Sequence, residues 1–245
     1  DEAGLVRCGN ATVQITWMDA KCGDTVFTPR HGRPVEVNAL WYHALRILEG
    51  RFADDDPDMA STCKELAERV KRSFEPTFWC AKTGCLYDCV RADEKDAAIR
   101  PNQVFAVSLA HSPLSAKKQS AVVDVVGRHL LTPFGLRSLA ASDPHYLGVC
   151  AGRQFERDQA YHNGTIWSWL IGPYVEAYLR VNGFSPESKQ HARGLLQPLI
   201  DHLSEACLGT ISEIFDGDPP HTPRGCFAQA WSVAELIRAL DLIRS

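Results

Sequence analysis

Apolar positions recur along most of the chain at the spacing of helix faces. Val37, Leu40, Trp41, Ala44, Leu45 and Leu48 follow i, i+3, i+4, i+7, i+8, i+11 and predict a helix over about 34–50. Asp56 then Pro57 reads as an N-cap and first helical position. The stripe of that second helix is Met59, Cys63, Leu66, Ala67, Val70 and Phe74. "PNQVFAVSLA" (101–110) predicts a short buried helix, and 115–131 predicts another, with Val122, Val126 and Leu130 on one side. Residues 165–182 carry Leu170, Tyr174, Ala177, Tyr178 and Val181 and stop at Asn182–Gly183, a C-terminal cap signal. Ser185–Pro186 opens the next helix, with Leu195, Leu196, Leu199 and Leu203 inward, and a last helix is expected over 226–243. The pattern is all-α, with about seven helices. "TVQITW" (12–17) alternates weakly and is read as a short extended piece.

The connections differ in length. Asn182–Ser185 is short, whereas 75–98, 132–164 and 208–225 are long and enriched in Gly, Pro and Asp. In an array of helical hairpins, long connections on one end build a binding face. No internal repeat, low-complexity linker or domain boundary interrupts the 245 residues.

Composition changes this picture little. A net charge of −4 and no Lys/Arg cluster argue against nucleic acid as a partner. No apolar run approaches the ~18–20 residues that span a bilayer, so no membrane partner is expected. The N-terminus has no signal-peptide pattern, and the chain starts without Met, as a piece of a longer protein would. Nine cysteines include Cys80, Cys85 and Cys89 as C-x4-C-x3-C. That spacing lacks the paired knuckles of a zinc site, and the cysteines are read as free thiols of a cytoplasmic protein. The N-x-T triplets at Asn10 and Asn163 are read as chance. Nucleotide-binding, zinc-protease and serine-hydrolase motifs are absent, so no cofactor or metal is implied.

What recurs is tryptophan beside isolated carboxylates and amides. Five of the six tryptophans lie in "ITWMDAKCGD", "TPRHGRPVEVNALWYHAL", "RDQAYHNGTIWSW" and "AQAWS". Flat aromatic faces fringed by Asp, Glu, Asn, Gln, Arg and His suit sugars, although each tryptophan singly fits a helical core as well. Glycoside cleavage needs two carboxylates, one of them protonated near neutral pH, a state that apolar surroundings favour. Asp19 and Glu213 have the most apolar flanks, and Asp24, Asp216 and Asp218 sit in more polar, turn-like sequence. Glu213, in "ISEIFDGDPPH", is thus expected to face a sugar from an apolar wall.

"TWMDAK", "TPRHGRPVEVNALW", "RPNQ", "LLTPFGLRSL", "YHNGTIWSWLIGPYVEAYL" and "ISEIFDGDPPHTPRGCFAQAWSVAELIRAL" together resemble the amylo-α-1,6-glucosidase domain of glycogen debranching enzymes. The resemblance covers most of the chain outside 46–98 and 183–207. It implies an (α/α)6 toroid of helical hairpins, and hydrolysis, with inversion, of the α-1,6-linked glucose left on a trimmed glycogen or branched α-glucan. By the same resemblance Asp19 matches the general acid and Glu213 the general base. Sugar contacts are implied around Trp17, Glu36, Asn38, Trp41, Asn102, Gln103, His162, Trp167 and Trp231. Six hairpins need about twelve helices. The toroid is therefore expected to be incomplete at its N-terminus, 1–245 being the C-terminal part of one catalytic domain and the remainder of the enzyme its partner. An exposed apolar edge should follow, along the first and last helices. Two other readings stand beside this one: a toroid glycosidase acting on another glucoside or mannoside, and a carbohydrate-binding fragment without turnover.

Overall fold

The computed structural model describes residues 1–92 and 94–244. Eight α-helices are present: α1 (Val35–Phe52), α2 (Pro57–Phe78), α3 (Phe105–Ser108), α4 (Ala116–His129), α5 (Gln154–Tyr161), α6 (Ile171–Val181), α7 (Pro186–His202) and α8 (Ala230–Arg244). The caps follow the sequence: the Asp56 side chain accepts from the Met59 amide, and that of Ser185 from Ser188. Gly183 adopts φ 63° just after α6. Packing runs α1 to α3 to α6 to α8 along one layer, while α2 lies on α1, α4 on α3 and α6, and α7 on α6 and α8. Large apolar side chains are exposed on α1 (Leu40, Ile47, Leu48) and α8 (Trp231, Ile237), at the two ends of this series.

The long connections hold structure that periodicity does not reveal. Among the described residues twelve strands of two or three residues are formed, more than the helical pattern suggests. Five of them make one antiparallel sheet, in the order Pro223–Arg224, Ile214–Phe215, Ile166–Trp167, Gly135–Arg137, Leu131–Thr132. α5 lies inside a stretch read as one long connection. The helix expected from 165 starts only at Ile171, because Ile166 and Trp167 pair with Phe215 and Ile214. The last helix likewise starts at Ala230, which leaves 226–229 free to contact Glu213. "PNQVFAVSLA" forms a 3-10 turn, Pro101–Val104, before the single turn of α3. The expected extended piece at 12–17 is not a strand; Val13 only bridges back to Asn10. No helix among the described residues is long and apolar enough to cross a membrane.

Gly135 shows how tightly the sheet meets the aromatic core. Its φ is 135°, and a Cβ there would strike the Trp167 carbonyl oxygen.

Candidate active site

Asp19 follows the fully buried Met18 in a segment without helix or strand. Trp17 is half-buried, and its indole N–H donates to Oδ1 of Asn102 at 2.6 Å. Its ring meets His162, Trp167 and Trp169 edge-on, each with centroids 5.2 Å apart. Trp169 in turn stacks on Trp231 at 4.9 Å. Trp17, Trp169 and Trp231 are each partly exposed and form an aromatic ledge.

The Asp19 carboxylate itself is 64% exposed, 3.6 Å from Nε2 of the buried His162. At that distance the contact is electrostatic rather than a good hydrogen bond. His162 lowers the Asp19 pKa, outweighing a partial burial that would raise it. Burial pushes the His162 pKa down as well, so its ring is neutral near pH 7. Both ring nitrogens lack a hydrogen-bond partner. The expectation that apolar neighbours keep Asp19 protonated is therefore corrected. Met18 is fully buried and Trp17 partly exposed, while the carboxylate stays in water and ionised near pH 7.

A buried ionic network stands behind the ledge. Arg30 donates from Nε to Asp88 at 2.6 Å and from both terminal nitrogens to Glu36 at 2.5 Å each. Burial alone would lower the Arg30 pKa; Asp88 and Glu36 hold it raised. Asn102 donates to the same Asp88 at 2.7 Å, so the network continues through Asn102 to Trp17. Arg100 donates to the His162 carbonyl at 2.5 Å and to Oδ1 of Asn163 at 2.8 Å. The ring that faces Asp19 is thus fixed from behind.

Glu213 is held differently. Ile211, Ser212, Ile214 and Phe215 are buried around it, while Glu213 is half-exposed. Oε2 accepts the Cys226 amide at 2.9 Å and Oε1 accepts Gln229 Nε2 at 3.3 Å. The Glu213 amide donates back to the Cys226 carbonyl at 2.8 Å. Gly225, at φ 67°, permits this approach, since a Cβ there would run into the carboxylate. The expected apolar wall is therefore only the strand's inner face; the carboxylate is gripped by N–H donors. A cavity of about 520 Å³ lies before it, bordered also by Tyr161, Arg157, Arg224, Cys150 and Cys226.

Asp19 does not line this cavity. The two carboxylates are linked by consecutive residues at the end of α5. His162 is beside Asp19, and Tyr161 is beside Glu213 in the cavity. Burial, then Glu213 and then Asp19 all raise the Tyr161 pKa, so its hydroxyl stays protonated and available as a donor.

Several residues expected to touch sugar are occupied by the protein. Glu36 is paired with Arg30. Asn38 accepts from Val6 N and donates to the carbonyls of Val6 and Pro34. Gln103 bonds the Leu86 amide and the Arg100 carbonyl. Asn102 is fully buried with its amide engaged, and the Trp41 N–H donates to the Gly4 carbonyl. Trp167 is buried in the aromatic cluster, its N–H on the Tyr161 carbonyl. The polar groups of these six already have protein partners, as the Trp17 indole N–H does. Trp17, His162 and Trp231 remain beside Asp19 or on the ledge. Arg30, Asp88, Arg100, Tyr161, Trp169 and Gln229 were not singled out in the sequence. All but Asp88 sit in the quoted motifs, which was the available signal. Among the described residues no group of three His, Cys, Asp or Glu is placed to hold a metal.

The comparisons with known proteins fit this geometry. Neutral trehalase from Saccharomyces cerevisiae superposes with a TM-score of 0.64 at 15% identity, over 86% of this chain and 38% of that one. Mannosylglycerate hydrolase from Thermus thermophilus, with Tris and D-glycerate, gives 0.61 at 16% identity, over 85% of this chain and 45% of that one. At such identities the likeness carries the fold alone. A glycogen debranching enzyme from Saccharomyces cerevisiae is 24% identical over 217 residues, 71% of this chain and 14% of the relative's length. The chain thus spans a small part of that relative and less than half of the superposed structures. Fold and matching family place it among the glycoside hydrolases built on helical toroids. More narrowly, residues 1–238 match the amylo-alpha-1,6-glucosidase family, and the chain belongs to it.

Proposed function

We propose that the chain carries the site at which the α-1,6-linked glucose of a trimmed branch on glycogen, or a related branched α-glucan, is hydrolysed with inversion. The observation that carries this reading is the end of α5, which sets His162 beside Asp19 and Tyr161 beside Glu213. Two carboxylates with different surroundings are thereby tied to adjacent residues of one helix end. Glu213, fixed by two N–H donors, takes the proton from a water that attacks the anomeric carbon. Asp19 gives a proton to the departing glycosidic oxygen. It is ionised when exposed, so the substrate itself must create the acid. A glucose laid on the ledge excludes water from Asp19, and desolvation raises a carboxyl pKa. His162 is the main influence holding the Asp19 pKa down, so desolvation by the bound sugar must outweigh it.

The twelve-helix ring is proposed to be completed by helices of a longer protein, in keeping with the exposed apolar side chains on α1 and α8. A cytoplasmic setting suits the nine unpaired cysteines. The test is proton NMR of the full-length protein acting on a malto-oligosaccharide bearing one α-1,6-glucosyl stub. Glucose released first as the β-anomer supports the reading. Release of α-glucose, or cleavage of a mannoside in preference to the stub, overturns it.

A further inference from the structure

The C-x4-C-x3-C segment has no part in the proposed hydrolysis, yet its three thiols are not equivalent. Trp79–Cys80 and Cys85–Leu86 pair as an antiparallel hairpin, with Cys80 directly opposite Cys85. The Tyr87 amide donates to the Phe78 carbonyl at 2.7 Å, one position beyond the Trp79–Leu86 pair. Bonds alternate along an antiparallel ladder, so Cys80 and Cys85 form the next hydrogen-bonded pair, with side chains on one face. Such a pair has its Cα atoms about 5.5 Å apart, inside the range a disulfide spans. Both thiols are buried and free, one residue below the exposed tip Ala81–Lys82.

We propose that Cys80 and Cys85 form a reversible dithiol–disulfide site that reacts with hydrogen peroxide. Cys80, next to the exposed Ala81, is the attacking sulfur, whereas the Cys85 S–H is held on Thr83 Oγ1 at 3.2 Å. Burial raises the Cys80 pKa, but hydrogen bonding from Thr83 and Tyr87 outweighs burial and leaves it lowered. Burial leaves the Cys85 pKa raised, and in Cys89 it pushes the value up to about 12. Cys89 also faces elsewhere, its S–H on the His31 carbonyl at 3.3 Å. The Cys80 thiolate attacks one peroxide oxygen; an S–O bond forms, the O–O bond breaks, and hydroxide leaves and takes up a proton as water. The Cys85 sulfur, losing its proton, then attacks the sulfenic sulfur. The S–S bond forms as the S–O bond breaks, and a second water leaves. Two thiols are oxidised to one disulfide and one peroxide is reduced to two waters. A dithiol reductant reverses the change by exchange.

A series of hydrogen bonds runs from the hairpin to the candidate active site. The Leu86 amide, beside Cys85, donates to Gln103, Gln103 donates to the Arg100 carbonyl, and Arg100 holds the His162 carbonyl.

Lys82 lies between the two cysteines, so trypsin separates them unless sulfur joins the halves. The full-length protein, folded by circular dichroism, is treated with hydrogen peroxide, alkylated and digested. The expected product is a linked pair of peptides, 73–82 with 83–91, in the wild type and in Cys89→Ser. It should be absent in Cys85→Ser, where dimedone should instead trap Cys80 as the sulfenic acid. Dithiothreitol should restore alkylation of both thiols. Full alkylation of Cys80 and Cys85 while the exposed Cys226 is oxidised would overturn the proposal, as would a link lost in Cys89→Ser.

Discussion

Asp19 and Glu213 have similar apolar flanks in the sequence and opposite surroundings in the fold. Asp19 lies in the open beside one buried neutral histidine, and its neighbours are fixed by a network of buried charges. Glu213 is half-covered and fixed directly by a main-chain amide and the Gln229 side chain. Met18 is buried while Asp19 stays in the open, whereas Ile214 enters a sheet that carries Glu213 with it. Apolar residues next to a carboxylate in sequence thus say little about what its oxygens meet. For proton donation the difference is useful: one carboxyl answers to coverage by substrate, and the other keeps its place without it.

Removing either ionisable group should have the largest effect. Asp19→Asn and Glu213→Gln in the full-length protein should each lower kcat by about 10²–10⁴-fold with an unchanged circular dichroism spectrum. A variant that keeps a tenth of wild-type kcat removes that residue from the chemistry. The support behind Asp19 comes next. Arg30→Met leaves Glu36 and Asp88 buried without their cation and should cost about 3–5 kcal/mol, read as a lower urea midpoint. An unchanged midpoint would mean that the network does not hold the Asp19 side together.

The support of Glu213 is lighter and more local. Gly225→Ala forces a side chain into a positive-φ position against the carboxylate. Stability should fall by about 1–2 kcal/mol, and displacement of Glu213 should lower kcat by about ten- to a hundredfold. Loss of stability with kcat intact would separate the clamp from catalysis.

The smallest effect is the pH response of Asp19. Its folded pKa is lowered, chiefly by His162, so its stabilising contribution is present above the unfolded carboxylate pKa. That contribution is lost as pH falls through the folded value. With the carboxylate 64% exposed, it should amount to no more than a few tenths of a kcal/mol. In His162→Phe the Asp19 carboxyl, followed by carbon-13 NMR, should titrate closer to the ordinary aspartate pKa. An unmoved midpoint would assign the shift to another group.

The long amphipathic helices were legible, because a stripe such as Cys63, Ala67, Val70 and Phe74 requires only local sequence and one buried face. α5 was not, since eight residues with Ala160 as their one buried position leave hardly any stripe. The two-residue strands were not either: Ile166 pairs with Phe215 across 49 positions, and no local period records that. At the site, the motifs brought out Asp19, Glu213, Trp17, His162 and Trp231, chiefly through family resemblance. They could not separate these from Asn38 or Gln103, whose amides serve the backbone. Nor could they reveal that Arg30 meets Asp88 58 positions away.

The central claim is that these two differently held carboxylates flank one scissile bond. A crystal structure of the full-length Glu213→Gln protein with an α-1,6-glucosyl malto-oligosaccharide tests it most directly. The glycosidic oxygen should lie within hydrogen-bonding distance of Asp19, glucose should rest on the Trp17–Trp231 ledge, and a water should sit between the sugar and residue 213. The two side-chain termini should stand about 6.5–9.5 Å apart. A separation near 5 Å would mark a retaining enzyme, and a glucan bound away from Asp19 would contradict the account altogether.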